Sequence, residues 1–224
     1  MPISDWPQAQ RPREKLLAEG PGALSDGELL ALFLRVGAHG KTAVDLGNEL
    51  SAHFGGLHPM LTAGTGELVK IKGIGLAKHV QLQAVFELVR RALREKLQDK
   101  QTLDTPQLVS DFLRLWLAGK DYESFACLFL DVQNCLITAE EMFRGSLDQT
   151  AVYPREVARR ALSANAAGVI VAHNHPMGTT QPSRSDLELT RQLRQALELV
   201  DVRLLDHFIV AGNQLYSFAQ SGNL

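Results

Sequence analysis

Two histidines, His173 and His175, stand one residue apart at the end of an apolar, β-branched run, Val169-Ile170-Val171-Ala172. The period-two alternation of a strand puts both imidazoles on one face and turns Asn174 to the other. A loop from Pro176 to Pro182, with Met177, Gly178 and two threonines, leads to Ser183 and Asp186 at the start of a helical pattern. If that loop returns the chain, Asp186 adds an oxygen to the two nitrogens. Zn²⁺ is held by sets of this kind, with Zn–N bonds of about 2.0–2.1 Å, and three protein ligands leave a fourth position for water, the mark of a catalytic site. The expectation is one zinc per chain on His173, His175 and Asp186. Each half has an ordinary alternative. A histidine after a strand is commonly a loop residue, and Ser183-Arg184-Ser185-Asp186 also reads as a helix capping box. The composite is the specific signal: His-x-His, seven residues, Ser, two residues, Asp.

The elements that must position these residues follow from the patterning of residues 102–224. Pro106 starts a helix to about Leu117, with proline at the first position. Glu123 to Asp131 is a near-continuous apolar strand of the kind buried on both faces. A turn at Gln133-Asn134 leads to a return strand from Cys135 to Met142, and Ser146 to Val152 extends the sheet. A helix from Pro154 to Leu162, a central strand from Ala167 to Ala172, a helix from Ser183 to Leu199 and strands at Val202–Val210 and Gln214–Phe218 complete the region. This predicts an α/β fold around a curved mixed sheet, not a regular βαβ alternation.

Residues 1–101 read differently, as an all-α region. Ser25 and Glu28 form a capping box ahead of the stripe Leu29, Leu30, Phe33 and Leu34. A second helix runs from Thr42 to Phe54 and a short one follows near Leu57 to Ala63. A further turn meets Gly73-Ile74-Gly75 and a long helix to about Leu97. Glycines allow a tight turn and close approach to a phosphate, and the N–H groups opening the next helix face such an anion. With Leu68, Ile71, Ala77, Lys70, Lys72 and Lys78 around it, this stretch resembles the helix–hairpin–helix motif of DNA-repair and replication proteins. Ile74 would plug the hairpin, and Lys70, Lys72, Gly73, Ile74, Gly75 and Lys78 are the candidate DNA-binding residues. Backbone contacts of that type are sequence-independent and salt-sensitive. An ordinary helix–helix turn is the alternative. Arg35 to Ala43, with Gly37, Gly40 and Lys41, reads as a weaker copy.

Composition sets the frame. The 224 residues are 45% hydrophobic and 21% charged with a net charge of −2, an ordinary soluble balance with no global field for nucleic acid. A local one exists: residues 65–100 hold 8 Lys and Arg against 4 Asp and Glu. Cys127 and Cys135 are too few for a disulfide framework and read as reduced core residues, which points to a cytoplasmic protein. The start, Met1-Pro2-Ile3-Ser4-Asp5-Trp6, is unlike a signal peptide, and no apolar run is long enough for a bilayer, so no membrane partner is expected.

The His-x-His…Ser-x-x-Asp composite is similar to the JAMM, or MPN⁺, signature of zinc metallo-isopeptidases. With Asn174, Pro176, Gly178 and Pro182-Ser183 it resembles the RadC (YicR-type) branch, a bacterial family that joins a helix–hairpin–helix region to an MPN (JAB) domain. Arg13-Glu14-Lys15, Gly73-Ile74-Gly75, Pro154-Arg155-Glu156-Val157 and Asp206-His207 fit that pattern too, so the resemblance spans the chain. Met177 departs from the usual serine at a position that is not a ligand. The resemblance implies domains at 1–101 and 102–224. It also implies a glutamate base at the head of the first strand, here Glu123, with Glu156 as the rival. Glu123 would take a proton from the zinc-activated water and pass it to the leaving nitrogen, while the Ser183 hydroxyl donates to the tetrahedral oxyanion. Asp206-His207 would have a supporting role. The expected function is cleavage of an amide bond in an unknown protein or peptide, with DNA docking through the helical region. The alternatives are a non-enzymatic DNA-associated scaffold of repair or recombination, and a metal-dependent nuclease. The contiguous His-Asn-His does not fit the dispersed residues of HNH endonucleases.

Overall fold

Capping chemistry fixes where the helices begin, and the computed structural model bears this out for residues 2–62, 65–98, 106–117, 119–145, 152–176 and 178–224, which it describes. In the first region α1 (Pro12–Glu19) starts on a proline and α2 (Asp26–Leu34) on the Ser25–Glu28 capping box. A second capping box, Thr42–Asp45, opens α3 (Ala43–Phe54), which ends on Gly55 in the left-handed conformation. Then come α4 (Leu57–Thr62), α5 (Thr65–Leu68) and the long α6 (Leu76–Gln98). Leu30, Leu34, Leu46, Leu50, Met60, Leu68, Ile74 and Leu82 form their shared core.

The second region is a mixed five-stranded sheet with helices on both faces. It contains α7 (Pro106–Leu117), β1 (Ser124–Leu130), β2 (Leu136–Arg144), α8 (Pro154–Ser163), β3 (Gly168–Asn174), α9 (Arg184–Glu198), β4 (Arg203–Ala211) and β5 (Gln214–Ser217). The order is β2-β1-β3-β4-β5, with β3 and β4 parallel and the other neighbours antiparallel. Both central strands, β1 and β3, are buried along their whole length, as their unbroken apolar runs require. One face of the sheet packs Phe125, Cys127, Phe129, Val169 and Val171 against α8 and α9. The other packs Ala126, Leu128, Ile170, Ala172, Phe208 and Val210 against α7 and Leu97. The chain is thus α/β, helical at the N-terminal end with a mixed sheet after it. It divides into two compact units, Met1–Leu88 and Val89–Leu224.

Cys127 and Cys135 are free and buried, and burial raises the Cys127 thiol far above its ordinary value. Cys127 pairs across the sheet with Glu140, not with Cys135. The expected extension of the sheet over Ser146 to Val152 falls almost entirely outside the described residues, as does Met177. Among the described residues no helix is long and apolar enough to cross a membrane.

Candidate metal centre

Strand β3 runs two residues further than its apolar stretch, so His173 lies inside the sheet and His175 just past its end. The His175 amide donates to the Val210 carbonyl at 2.8 Å, holding this exit against β4. The loop then folds back under His175. A Cβ at Gly178 would lie 3.2 Å from the His175 Cβ, a tight contact that the glycine relieves. Helix α9 begins on Ser183, whose hydroxyl accepts from the Asp186 amide at 3.1 Å while the Asp186 Oδ2 accepts from the Ser183 amide at 2.7 Å and from its hydroxyl at 2.6 Å. The capping box and the candidate site are therefore built from the same two residues.

His173, His175 and Asp186 come together, with ligating atoms all within 4.8 Å of one another. His173 Nε2 is 3.0 Å from His175 Nε2 and 3.2 Å from Asp186 Oδ1, and His175 Nε2 is 3.7 Å from Asp186 Oδ2. Tetrahedral coordination with bonds of about 2.0–2.1 Å separates ligand atoms by roughly 3.3 Å, so these spacings fit a zinc ion. The donor set fits as well. His175 Nδ1 is 2.7 Å from the Thr179 carbonyl, which can only accept, so Nδ1 carries the proton and Nε2 presents a lone pair inward. Burial alone would raise the Asp186 carboxyl, but the His173 imidazole and the Ser183 hydroxyl and amide outweigh it and hold it well below the usual carboxylate range. A lone pair and an ionised carboxylate facing one small space make a place for a cation.

Glu123 immediately precedes β1 and is half-buried. The β1–β3 ladder ends at the pair Phe125 and His173, and Glu123 stands two residues before that pair, at the end of the sheet where the histidines lie. The backbone on either side of Glu123 is clamped by the residue between the histidines. The Asn174 side chain is buried; its Oδ1 accepts from the Ser124 amide at 2.8 Å and its Nδ2 donates to the Tyr122 carbonyl at 3.0 Å. Glu156, the rival base, lies in the first turn of α8, where Arg159 engages its carboxylate at 2.6 and 3.0 Å.

Sequence reasoning gave Asn174 no role and missed Thr190. Its Oγ1 lies 2.6 Å from the Asp186 carbonyl and 2.7 Å from His207 Nδ1, and His207 Nε2 lies 2.9 Å from His173 Nδ1. Burial holds the His207 imidazole well below its ordinary value, reinforced by His173 and opposed by Asp186, so the ring is neutral. Asp206 and His207, read as a pair, divide their work. Asp206 projects from the opposite face and accepts from Ser217 Oγ, the His207 amide and the Ala219 amide, tying β4 to the C-terminal turn.

In the helical unit the candidate DNA residues are used unequally. Ile74 is buried among α2, α3 and α6 residues as expected. Lys70 and Lys72 are exposed. Lys78 turns inward: its Nζ donates to the carbonyls of Val36 at 2.8 Å, Gly37 at 3.3 Å and Gly73 at 2.9 Å, and burial lowers its ammonium below the usual value. Gly73 has φ of +101°, and a Cβ there would lie 2.5 Å from that of Ala38. Its glycine is required by the neighbouring turn, whereas a Cβ at Gly75 would enter open space. The two glycine turns noted in the sequence thus face one another, joined by Lys78.

Two families match separate parts of the chain. The RadC-like JAB domain family matches residues 103–223, and the UPF0758 N-terminal family matches residues 3–80. A UPF0758 protein of Herminiimonas arsenicoxydans is 58% identical over 224 residues, covering all of both chains. Relatives of the same name from Janthinobacterium sp. (strain Marseille) and Ralstonia nicotianae are 54% and 56% identical, again over the whole of both chains. The chain belongs to the UPF0758 family, and its C-terminal part is a RadC-like JAB domain, of a metalloprotease-related superfamily.

Proposed function

We propose that this protein is a zinc-dependent hydrolase that cleaves an amide bond, a peptidase or isopeptidase, in a protein or peptide. The observation that carries the reading is the inward convergence of His173 Nε2, His175 Nε2 and Asp186 Oδ1, with the proton of His175 accounted for on its outer nitrogen. Those three residues would hold one zinc ion, which when bound supplies Lewis acidity towards a carbonyl and brings the pKa of water down towards about 7. Glu123, two residues before the Phe125 that pairs with His173, accepts the proton from water and returns it to the departing nitrogen. Asn174 holds the peptide units flanking Glu123 and so sets the angle of its approach. The Ser183 hydroxyl donates to Asp186 Oδ2 at 2.6 Å, and it must exchange that bond to reach a developing oxyanion. In this reading residues 102–224 are the hydrolase domain and residues 1–101 the helical domain.

The helical unit adds a docking function in the same proposal. Exposed Lys70 and Lys72 lie just before Gly75 and the start of the 23-residue α6, an arrangement suited to a nucleic-acid backbone without sequence preference. The non-enzymatic scaffold is the competing reading. The test is to incubate the zinc-loaded full chain with peptide and Lys-isopeptide libraries, and to read new termini by mass spectrometry. Cleavage abolished by chelation and by Glu123→Gln, with zinc retained in that variant, is the expected result. Full zinc loading with no cleavage in either library favours the scaffold.

A further inference from the structure

Which nitrogen of a histidine carries the proton is set by the bond its other nitrogen makes. For His175 a carbonyl decides the matter. For His173 the outer partner is another imidazole, His207 Nε2 at 2.9 Å, which donates or accepts according to its own tautomer. The answer lies one bond further out. Thr190 Oγ1 is 2.6 Å from the Asp186 carbonyl, and a carbonyl only accepts, so the single hydroxyl proton goes there. Thr190 Oγ1 can then only accept from His207 Nδ1 at 2.7 Å, and that nitrogen carries a proton. His207 has no exposed surface. Its ring meets a hydroxyl, an imidazole and the rings of Phe125 and Phe218, and no carboxylate oxygen bonds to it to offset a charge, so it stays neutral. Its Nε2 is therefore a lone pair, and His173 Nδ1 must donate to it.

We propose that Thr190 and His207 are positioning residues, a hydrogen-bond chain from the Asp186 carbonyl to the His173 ring that locks His173 as the Nδ1–H tautomer and aims its Nε2 lone pair at the cation. The chain starts on one ligand residue and ends on another. It ties the first turns of α9 to β3 through β4, so the separation of His173 and Asp186 and the tautomer of His173 are fixed by the same two side chains. Neither residue touches the reacting atoms. The purpose of the chain rests on the zinc reading above, but its proton arrangement does not.

The experiment uses the full chain in two states. In the metal-free protein labelled with ¹⁵N-histidine, long-range ¹H–¹⁵N correlation spectra report which ring nitrogens carry protons. His173 and His207 are each expected to carry a proton on Nδ1, with His207 Nε2 unprotonated. Thr190→Val is nearly isosteric and removes the acceptor of His207. It should release the His207 proton to Nε2 and move the His173 signals towards the Nε2–H form. In the second state, zinc affinity is read by competition with a chromophoric chelator. Thr190→Val and His207→Leu should weaken it about 10- to 100-fold, the usual effect of losing such a partner. His207→Gln, whose amide oxygen can accept from His173 Nδ1, should restore much of it. A parent His173 with no proton on Nδ1 would overturn the proposal. So would a Thr190→Val variant with unchanged tautomer and unchanged zinc affinity. If the parent takes up no zinc, the metal reading fails while the spectra still decide the proton chain.

Discussion

Two turns of this molecule look alike in the sequence, and their bonds show them to be different kinds of structure. The turn at Gly73-Ile74-Gly75 and the loop from His175 to Ser183 both combine small residues with charged or titratable ones ahead of a helix. In the first, the cation nearest the turn is spent inward: Lys78 Nζ satisfies three carbonyls of the two facing glycine turns. In the second, the outer atoms are spent and the inner ones are left over. His175 uses Nδ1 on Thr179, and Asp186 uses Oδ2 on Ser183, while Nε2 and Oδ1 face His173 Nε2. A group whose polar atoms are consumed by backbone is scaffold. A group held from behind, with its other atom aimed at more acceptors, is a site.

This contrast can be broken in graded steps. The largest effect belongs to Asp186→Asn, which keeps a capping side chain for α9 but removes the ligand charge. Zinc affinity should fall by more than the roughly 100-fold seen for outer partners, with the helix retained by circular dichroism. Unchanged zinc content would remove Asp186 from the site. Glu123→Gln comes next, with turnover down about 10²- to 10⁴-fold and zinc content at the parental level. Loss of zinc in that variant would make Glu123 a ligand and not a base. In the other unit, Ile74→Ala should cost about 2–5 kcal/mol of stability in denaturant titration and leave zinc content alone. Lys78→Met should cost about 1–3 kcal/mol through the carbonyls it strands. If it instead leaves stability intact and abolishes DNA affinity, Lys78 is a phosphate ligand after all. The smallest structural effect is expected from Lys70→Glu with Lys72→Glu, within about 0.5 kcal/mol. Any salt-dependent DNA binding by the parent should be lost there. A substitution at Gly73 is a poor probe, because Ala38 fills the space a side chain would need.

Local chemistry explains what is legible in the sequence. Strand alternation alone puts His173 and His175 on one face, and the Ser183–Asp186 box is a four-residue pattern that marks the start of α9. Burial of Ile74 follows from its place between two glycines in an otherwise helical pattern. The partners that hold the site from behind were not legible, because they depend on pairings between distant elements. His207 reaches His173 only because β4 lies parallel to β3 with a register shift between Val169 and Ile170. Asn174 looked idle because it faces away from the histidines, and its bonds go to residues 50 and 52 positions earlier. The inward bonds of Lys78 are not legible in the sequence for the same reason: two of the carbonyls it binds lie 41 and 42 residues away.

The central claim is that His173, His175 and Asp186 form a metal centre and not merely a capped helix beside a strand end. The most direct measurement is the zinc content of the purified full chain after reconstitution and removal of unbound metal. About one zinc per chain is predicted, as for a three-ligand catalytic site. Less than about half an equivalent after reconstitution would contradict it, since a preformed ligand set of this geometry should fill.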